Sequence, residues 1–338
     1  MERKYIFEAG LDVFTSFKTI VPVENLMELS KFDEHLYHIY GILSYNRIYF
    51  RKEKTKVISN GIQVTLFTVE DGNEVNYDLP LWEIFPGVDY RKVKLTLTFP
   101  YTFIAVKIED EDFLSSHPEI VNPEIEVHAQ HLFSLFAETL VHKQEFKVLY
   151  IGQAYGKNGS RTAFDRLASH STLQSILTDY QTKNPNKYIY ILLLEFTPNL
   201  SMSFDGLTKR YTKSEEESDQ HMEEVLCDLP RGEQIINITE AALIHYFKPE
   251  YNVTFIENFP NVHHKGYKQY FDLDYNSLTV ELDMEFDHAP TIQLYSKTNR
   301  INSSFDFIRY KLYNDIERLS MYEIFEKKDR GLAIKGSI

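Results

Sequence analysis

Short runs of β-branched and aromatic residues dominate the first part of the chain, and several alternate apolar and polar positions with period two. Clear examples are Tyr37–Leu43, Ile62–Phe67 and Val93–Thr98. Asn60-Gly61 is a typical tight-turn sequence between two such runs. Regularly spaced short strands with turns between them predict a β-rich domain of sandwich or barrel type over residues 1–112.

The pattern changes after residue 112. The prolines Pro118 and Pro123 lie in an acidic stretch and predict a linker, and the spacing of apolar residues from Leu132 to Val141 predicts a helix, so 113–145 is interpreted as linker and helix. Residues 146–260 then alternate between strand and helix patterns. The four predicted elements are strands at Lys147–Gln153 and Tyr188–Phe196, a helix beginning near Phe164 and a helix at Thr239–Phe247.

A small sheet flanked by helices is therefore expected for residues 146–260. A polar insertion, 205–224, contains three consecutive glutamates and is predicted to be a surface loop. The last region, 261–338, begins with strand patterns and is predicted to end in a helix. The apolar residues of that helix are Tyr310, Leu312, Ile316, Leu319 and Ile324. The fold class expected is α+β: a central α/β domain between β-rich flanks, which either pack together or extend one another.

Charge narrows the functions that the chain can have. The 338 residues carry a formal net charge of −14, which argues against a surface that attracts nucleic acid everywhere. Between Lys143 and Arg210, however, nine Lys and Arg face five Asp and Glu, so the central segment is locally basic. Such a distribution would confine nucleic acid to one groove.

Cysteine content and hydropathy indicate the compartment. Cys227 is the single cysteine, which excludes an intramolecular disulfide and a cysteine-based zinc site. The apolar run Tyr188–Leu194 is far shorter than the roughly 20 residues that cross a bilayer. The N-terminal residues are charged, unlike a signal peptide. A cytoplasmic protein without a membrane partner is the expectation.

The candidate chemistry lies in the central segment as an ordered series of polar residues. Its members are Tyr150-Ile151-Gly152, then Arg166 and His170 four positions apart, then Glu240, then Asn252 three residues after Pro249. No single member is specific. In this order, with an apolar strand between the two helices, the series resembles the GIY-YIG nuclease family over residues 146–256 or so.

The resemblance implies an endonuclease that hydrolyses phosphodiester bonds with Mg²⁺ or Mn²⁺, acting on nucleic acid, DNA more than RNA. By the match, Glu240 binds the metal and Arg166 stabilises charge on the phosphate. Tyr150 and His170 would hold or activate the attacking water, and Asn252 would orient the site. The β-rich flanks would then select the substrate, a protein partner or a second copy of the chain.

Each of these residues also has an ordinary structural interpretation. Glu240 follows Asn237 by three positions, the spacing of a helix capping box. It also shares the buried stripe of its helix with Leu243 and Phe247, where a carboxylate needs a partner. Arg166 taken alone is a solvated helix residue, and Tyr150 is a packed ring.

One motif of the family has no match where it is expected. The family carries a tyrosine on each of two neighbouring strands, and no tyrosine lies between Tyr101 and Tyr150. This absence favours an alternative function, a non-catalytic nucleic-acid-binding or scaffold protein on a degenerate GIY-YIG fold. If the site is active, His170 is the best substitute base, with His128, His131 and His142 as second choices, because a neutral imidazole accepts protons near neutrality.

Overall fold

The computed structural model describes residues 2–323 apart from residues 71, 138, 141–143, 205–209, 287–291, 302–304 and 315–317. Helices and sheets are both present, so the predicted α+β class is confirmed at this level. The strands are β1 Glu8–Pro22, β2 Ile39–Asn46, β3 Tyr49–Phe50, β4 Lys56–Ile58, β5 Gly61–Gln63, β6 Thr65–Glu70, β7 Asn73–Asp78, β8 Val93–Leu97, β9 Phe103–Ile108, β10 Glu124–His128, β11 Gln144–Gln153, β12 Lys187–Ser203, β13 Ser277–Asp283, β14 Ile292–Tyr295 and β15 Phe305–Lys311.

The helices surround these strands on several sides. They are α1 Leu26–Leu29, α2 Glu111–Ser116, α3 Ala129–Phe136, α4 Ala163–Leu167, α5 Ser171–Ser175, α6 Gln181–Lys183, α7 Glu215–Cys227, α8 Gly232–Phe247 and α9 Gln269–Asp272. A π-helical stretch, Ile176–Tyr180, joins α5 to α6. Within the described residues, no helix combines the length and apolar character needed to cross a membrane.

One sheet organises the described part of the chain. It has seven strands in the order β14-β11-β2-β12-β1-β13-β15. The neighbours β11 and β2, β2 and β12, and β12 and β1 are antiparallel, whereas β1 pairs with β13 in parallel. Strands from the N-terminal, central and C-terminal regions therefore form a single sheet.

The two faces of this sheet bury different cores because side chains alternate along each strand. On β12, Ile189, Ile191 and Leu193 face a small cluster with α4 and α5, whereas Leu192 and Leu194 face a larger cluster with α8. The larger cluster also contains apolar residues from β3 to β10. The fold thus places α8 on one face of the sheet and α4 and α5 on the other.

The segment 47–143 is an excursion between two paired strands of the sheet. It leaves at the end of β2 and returns at the start of β11. Its strands form two three-stranded sheets, β10-β9-β8 and β3-β6-β7, and the two-stranded pair β4-β5. The strands β1 and β2, predicted to belong to a separate β-rich domain of residues 1–112, instead pair with β12 and β11. Local alternation shows that a strand forms but does not show which distant strand pairs with it.

Three further predictions are corrected by the structure. The predicted linker contains the strand β10, which pairs with β9. The predicted surface loop 205–224 becomes helical from Glu215, because Ser214 and Glu217 form a capping box. Tyr310 was expected on a final helix but lies on β15, where its hydroxyl donates a hydrogen bond to the carbonyl oxygen of Ala242. Residues 316 and 324, also assigned to that helix, lie outside the described residues.

Candidate functional site

A second tyrosine lies beside Tyr150, and it comes from the N-terminal region. Tyr40 is the second residue of β2, and β2 pairs with β11 so that Tyr40 is opposite Gly152. The ring centroids of Tyr40 and Tyr150 are 6.2 Å apart. A tyrosine next to Tyr150 therefore comes from the strand paired with β11, although the excursion 47–143 separates the two in sequence.

The local geometry of β11 brings the two rings together. A bulge between Val148 and Tyr150 changes the register, so that Leu149 and Tyr150 both face the small cluster. Gly152 leaves the room that the Tyr40 ring fills, since a Cβ at this position would lie 2.5 Å from the Tyr40 hydroxyl oxygen. The glycine of the Tyr150-Ile151-Gly152 motif is thus required by the close approach of Tyr40.

The short helix α4 delivers Arg166 to the same place. Thr162 and Asp165 form a capping box that fixes the start of α4, and the amide of Ala163 donates to the carbonyl oxygen of Tyr37 just before β2. Arg166 lies in the last turn, and its positive charge acts to lower the pKa of Tyr40. The Arg166 side chain is half-buried.

His170 does not continue the helix of Arg166, as the four-residue spacing predicted. The helix α4 ends at Leu167, and His170 caps α5: its Nδ1 accepts a hydrogen bond from the amide of Leu173 at 3.2 Å. Burial and the neighbouring Arg166 lower the pKa of His170 to about 4, so the imidazole is neutral at physiological pH. With Nδ1 accepting, the proton is on Nε2.

This tautomer determines which hydrogen bonds the His170 ring nitrogens make in the site. Its Nε2–H donates to the Tyr40 hydroxyl oxygen at 3.2 Å, and the Tyr150 ring lies 5.3 Å from the imidazole, centroid to centroid. Neither nitrogen of His170 is then free to accept a proton. The predicted role of substitute base is not favoured by this geometry, which makes His170 an orienting partner of Tyr40. Of the second choices, His128 and His131 lie on β10 and α3 in the excursion, and residue 142 is outside the described residues.

Burial raises the pKa of both tyrosine hydroxyls. For Tyr40 the desolvation of a nearly fully buried side chain is the first cause, and Arg166 opposes it. For Tyr150 desolvation is again first, followed by the negative charge of Glu240. Both hydroxyls are therefore neutral in the resting protein, and they act as hydrogen-bonding groups.

Glu240 lies in the middle of α8, which packs on the other face of the sheet, and its charge raises the pKa of both Tyr40 and Tyr150. The capping-box interpretation is wrong, because α8 begins at Gly232 and Asn237 lies inside it. Desolvation raises the pKa of Glu240 to about 7, opposed by a hydrogen bond from the Gln153 amide and by the charge of Arg166. A carboxylate held in this environment lacks a full counter-charge.

Asn252 acts on the strand that carries Tyr150. Its Oδ1 accepts from the amide of Ile151 at 2.9 Å, and its Nδ2 donates to the carbonyl oxygen of Ile151 at 2.8 Å. The adjacent amide of Tyr251 donates to the carbonyl oxygen of Leu149. The side chain of Asn252 thus holds β11 next to the tyrosines, and the orienting role expected for it fits this contact.

The structure therefore brings the five predicted site residues to one end of β2 and β11 and adds Tyr40. A signal for Tyr40 was present in the sequence: Ile39-Tyr40-Gly41 is a tyrosine next to a glycine on an apolar strand. On its own, this pattern predicts only a strand of the N-terminal region. Among the described residues, no group of three or more His, Cys, Asp or Glu side chains is arranged to hold a metal ion.

Comparisons of this chain with models of known protein families, with curated proteins and with solved structures find no match to any of them.

Proposed function

We propose that the chain is a metal-dependent endonuclease of the GIY-YIG type. The observation that carries the proposal is the convergence of Tyr40, Tyr150, Arg166, His170 and Glu240 at one end of two paired strands. Two tyrosines on neighbouring strands, an arginine and a single carboxylate are the set that the resemblance leads us to expect. Residues from four separate parts of the chain meet there.

Hydrolysis of a phosphodiester needs a positioned water, a stabilised phosphate and a stabilised leaving oxygen. The two tyrosine hydroxyls hold the water, since His170 fixes Tyr40 and the Tyr150 ring lies beside that of Tyr40. Arg166 lies beside them and binds the negative oxygens of the phosphate, a contribution of about 3 kcal/mol for a well-placed donor. Arg161 also acts on His170 electrostatically and adds positive charge near the site.

Glu240 is the residue that would hold the metal. A single carboxylate suits Mg²⁺, which keeps several of its waters when it binds a protein. The raised pKa of Glu240 fits this role, because a bound cation supplies the counter-charge that the carboxylate lacks. When bound, the ion neutralises charge on the phosphate and the leaving oxygen.

The second candidate function is a nucleic-acid-binding or scaffold protein without activity. The feature that favoured it was the absent first tyrosine. Tyr40 now stands beside Tyr150, and its hydroxyl is held by His170. That feature therefore no longer separates the two functions, and the cleavage assay decides between them.

The direct test of the function is cleavage by the purified full chain. Plasmid DNA, branched DNA and structured RNA are incubated with Mg²⁺ or Mn²⁺ between pH 6 and 9, and nicks are counted on denaturing gels. The endonuclease proposal expects metal-dependent nicking that EDTA abolishes. Binding of nucleic acid without any cleavage under these conditions would leave only the binding or scaffold function.

Metal binding has an expected pH dependence that does not depend on cleavage. A carboxyl group with a pKa of about 7 is protonated at pH 6 and ionised at pH 8, and only the ionised form binds Mg²⁺. We expect the apparent Mg²⁺ affinity to rise about tenfold from pH 6 to pH 8. The measurement is the increase in the unfolding temperature as Mg²⁺ is titrated at the two pH values.

Two variants of the same helix control this measurement. Glu240→Gln should lose the Mg²⁺-dependent stabilisation at both pH values. Glu233→Gln removes an exposed carboxylate from the first turn of α8 and should keep it. Equal stabilisation of the wild-type protein and Glu240→Gln would show that the metal binds elsewhere.

A further inference from the structure

A cavity of about 200 Å³ lies at the opposite end of β2 from the tyrosines. It is lined by Arg47, Ile48, Thr102, His128, Gln130 and Tyr188. Arg47 directly follows β2, and Tyr188 lies at the start of β12, so the main sheet forms one wall. The excursion contributes the other wall through Thr102, His128 and Gln130.

Two side chains of this cavity carry hydrogen-bond donors without partners. Nε of Arg47 and Nε2 of Gln130 are buried, and neither has a hydrogen-bond partner within the described part of the chain. The other polar atom of Gln130, Oε1, accepts from the amide of Ile48 at 3.3 Å, which fixes the side chain. Buried unpaired donors are costly, about 1–3 kcal/mol each, so an acceptor that reaches both side chains would offset this cost.

The charges of the lining residues indicate which kind of acceptor the cavity favours. The Arg47 guanidinium lies over the Tyr188 ring, 5.1 Å from its centroid, and across the described residues it forms no ion pair with a carboxylate. No lining residue is acidic. The Tyr188 hydroxyl donates a hydrogen bond to Glu24, which is not among the lining residues. The cavity therefore presents a cation and donor groups to whatever enters it.

The size limits the ligand. A volume of about 200 Å³ is below the 300 Å³ or more of typical drug-sized pockets and corresponds to roughly seven waters at liquid density. A phosphate group fits, with room for a few waters or part of a sugar. Thr102 and His128 would add hydrogen bonds to its remaining oxygens.

We propose that this cavity binds a phosphate group. Arg47 supplies the charge and a donor, and Gln130 supplies a second donor from the excursion. The site is separate from the tyrosine cluster, because Tyr40 and Arg47 are seven residues apart on an extended strand, a distance of roughly 23 Å. The proposal stands whether or not the chain cleaves nucleic acid.

The test is a titration of ¹⁵N-labelled full-length protein with inorganic phosphate, at constant ionic strength set with chloride. The Nε–H resonance of Arg47, assigned by its loss in Arg47→Gln, should shift saturably. Parallel titrations with a 5′-mononucleotide and with a short single-stranded oligonucleotide identify the source of the phosphate. The ligand that saturates at the lowest concentration is the source.

Arg51 provides the matched control. It lies four residues beyond Arg47, but it already pairs with Glu74 at 2.8 Å. We expect Arg47→Gln to weaken phosphate binding at least about tenfold, Gln130→Leu to weaken it to a lesser degree, and Arg51→Gln to leave it unchanged. An unsaturable Arg47 shift in the wild-type protein, or equal weakening by Arg51→Gln, would overturn the proposal. The wild-type titration decides even if a variant fails to fold.

Discussion

Replacement of Glu240 by glutamine should reduce cleavage at least about 100-fold while the protein stays folded. Glutamine has nearly the shape of glutamate, so the packing of α8 persists, but it cannot supply the anionic oxygen that a divalent cation needs. The measurement is the single-turnover cleavage rate on the best substrate of the nucleic-acid panel at saturating Mg²⁺, compared with the wild-type rate.

Measuring the thermal stability of Glu240→Gln distinguishes a loss of cleavage activity from unfolding of the protein. Because burial raises the pKa of Glu240 to about 7, above the ordinary value of 4.5, the folded protein holds a proton there that the unfolded chain has lost between those pH values. The carboxyl group therefore costs stability as the pH rises from about 4.5 to 7. Without metal, Glu240→Gln should unfold at the same or a higher temperature than the wild-type protein at pH 8. Full activity of Glu240→Gln would exclude Glu240 as the metal ligand.

Replacement of Tyr40 by phenylalanine should also lower cleavage by about 100-fold or more, because it removes the hydroxyl that His170 orients beside the Tyr150 ring. The ring still fills the space above Gly152, so the two strands remain paired. A moderate loss of stability, about 1–3 kcal/mol, is expected because Nε2–H of His170 loses its acceptor. Rates are measured under single-turnover conditions on the same substrate, with unfolding followed by circular dichroism.

A second buried tyrosine gives the control for this experiment. Tyr37 lies three residues upstream in the same core, and its hydroxyl donates to Asp33 at 2.9 Å. Tyr37→Phe loses a comparable hydrogen bond outside the site and should cleave at nearly the wild-type rate. If Tyr40→Phe cleaves normally and His170→Ala is inactive, the histidine and not the tyrosine activates the water.

Local elements of the central segment were predictable, and their pairing was not. The strands at Tyr150 and Tyr188–Phe196 and the helix of Glu240 follow directly from apolar periodicity, and the structure has all three. The position of Tyr40 could not be predicted in this way, because β2 and β11 are separated by the whole of residues 47–143. The spacing of apolar residues within a strand does not depend on which distant strand it pairs with.

Some local signals were present but were outweighed by composition. The three glutamates from Glu215 suggested a solvated loop, yet Ser214 before them is the serine of a capping box. Conversely, the capping-box spacing of Asn237 and Glu240 carried no structural meaning, since α8 had already begun. The need for a glycine at position 152 could not be predicted from the sequence either, because a side chain there would collide with Tyr40 on the neighbouring strand.

The excursion between β2 and β11 also governs when the site forms during synthesis. Tyr40 leaves the ribosome early, but its partner strand follows only after the excursion, and Glu240 and Asn252 come later still. Contacts between such distant parts of a chain form slowly, since a long loop must be ordered before they can stabilise anything. A growing polypeptide therefore cannot assemble all of the candidate site residues until most of its length has been translated.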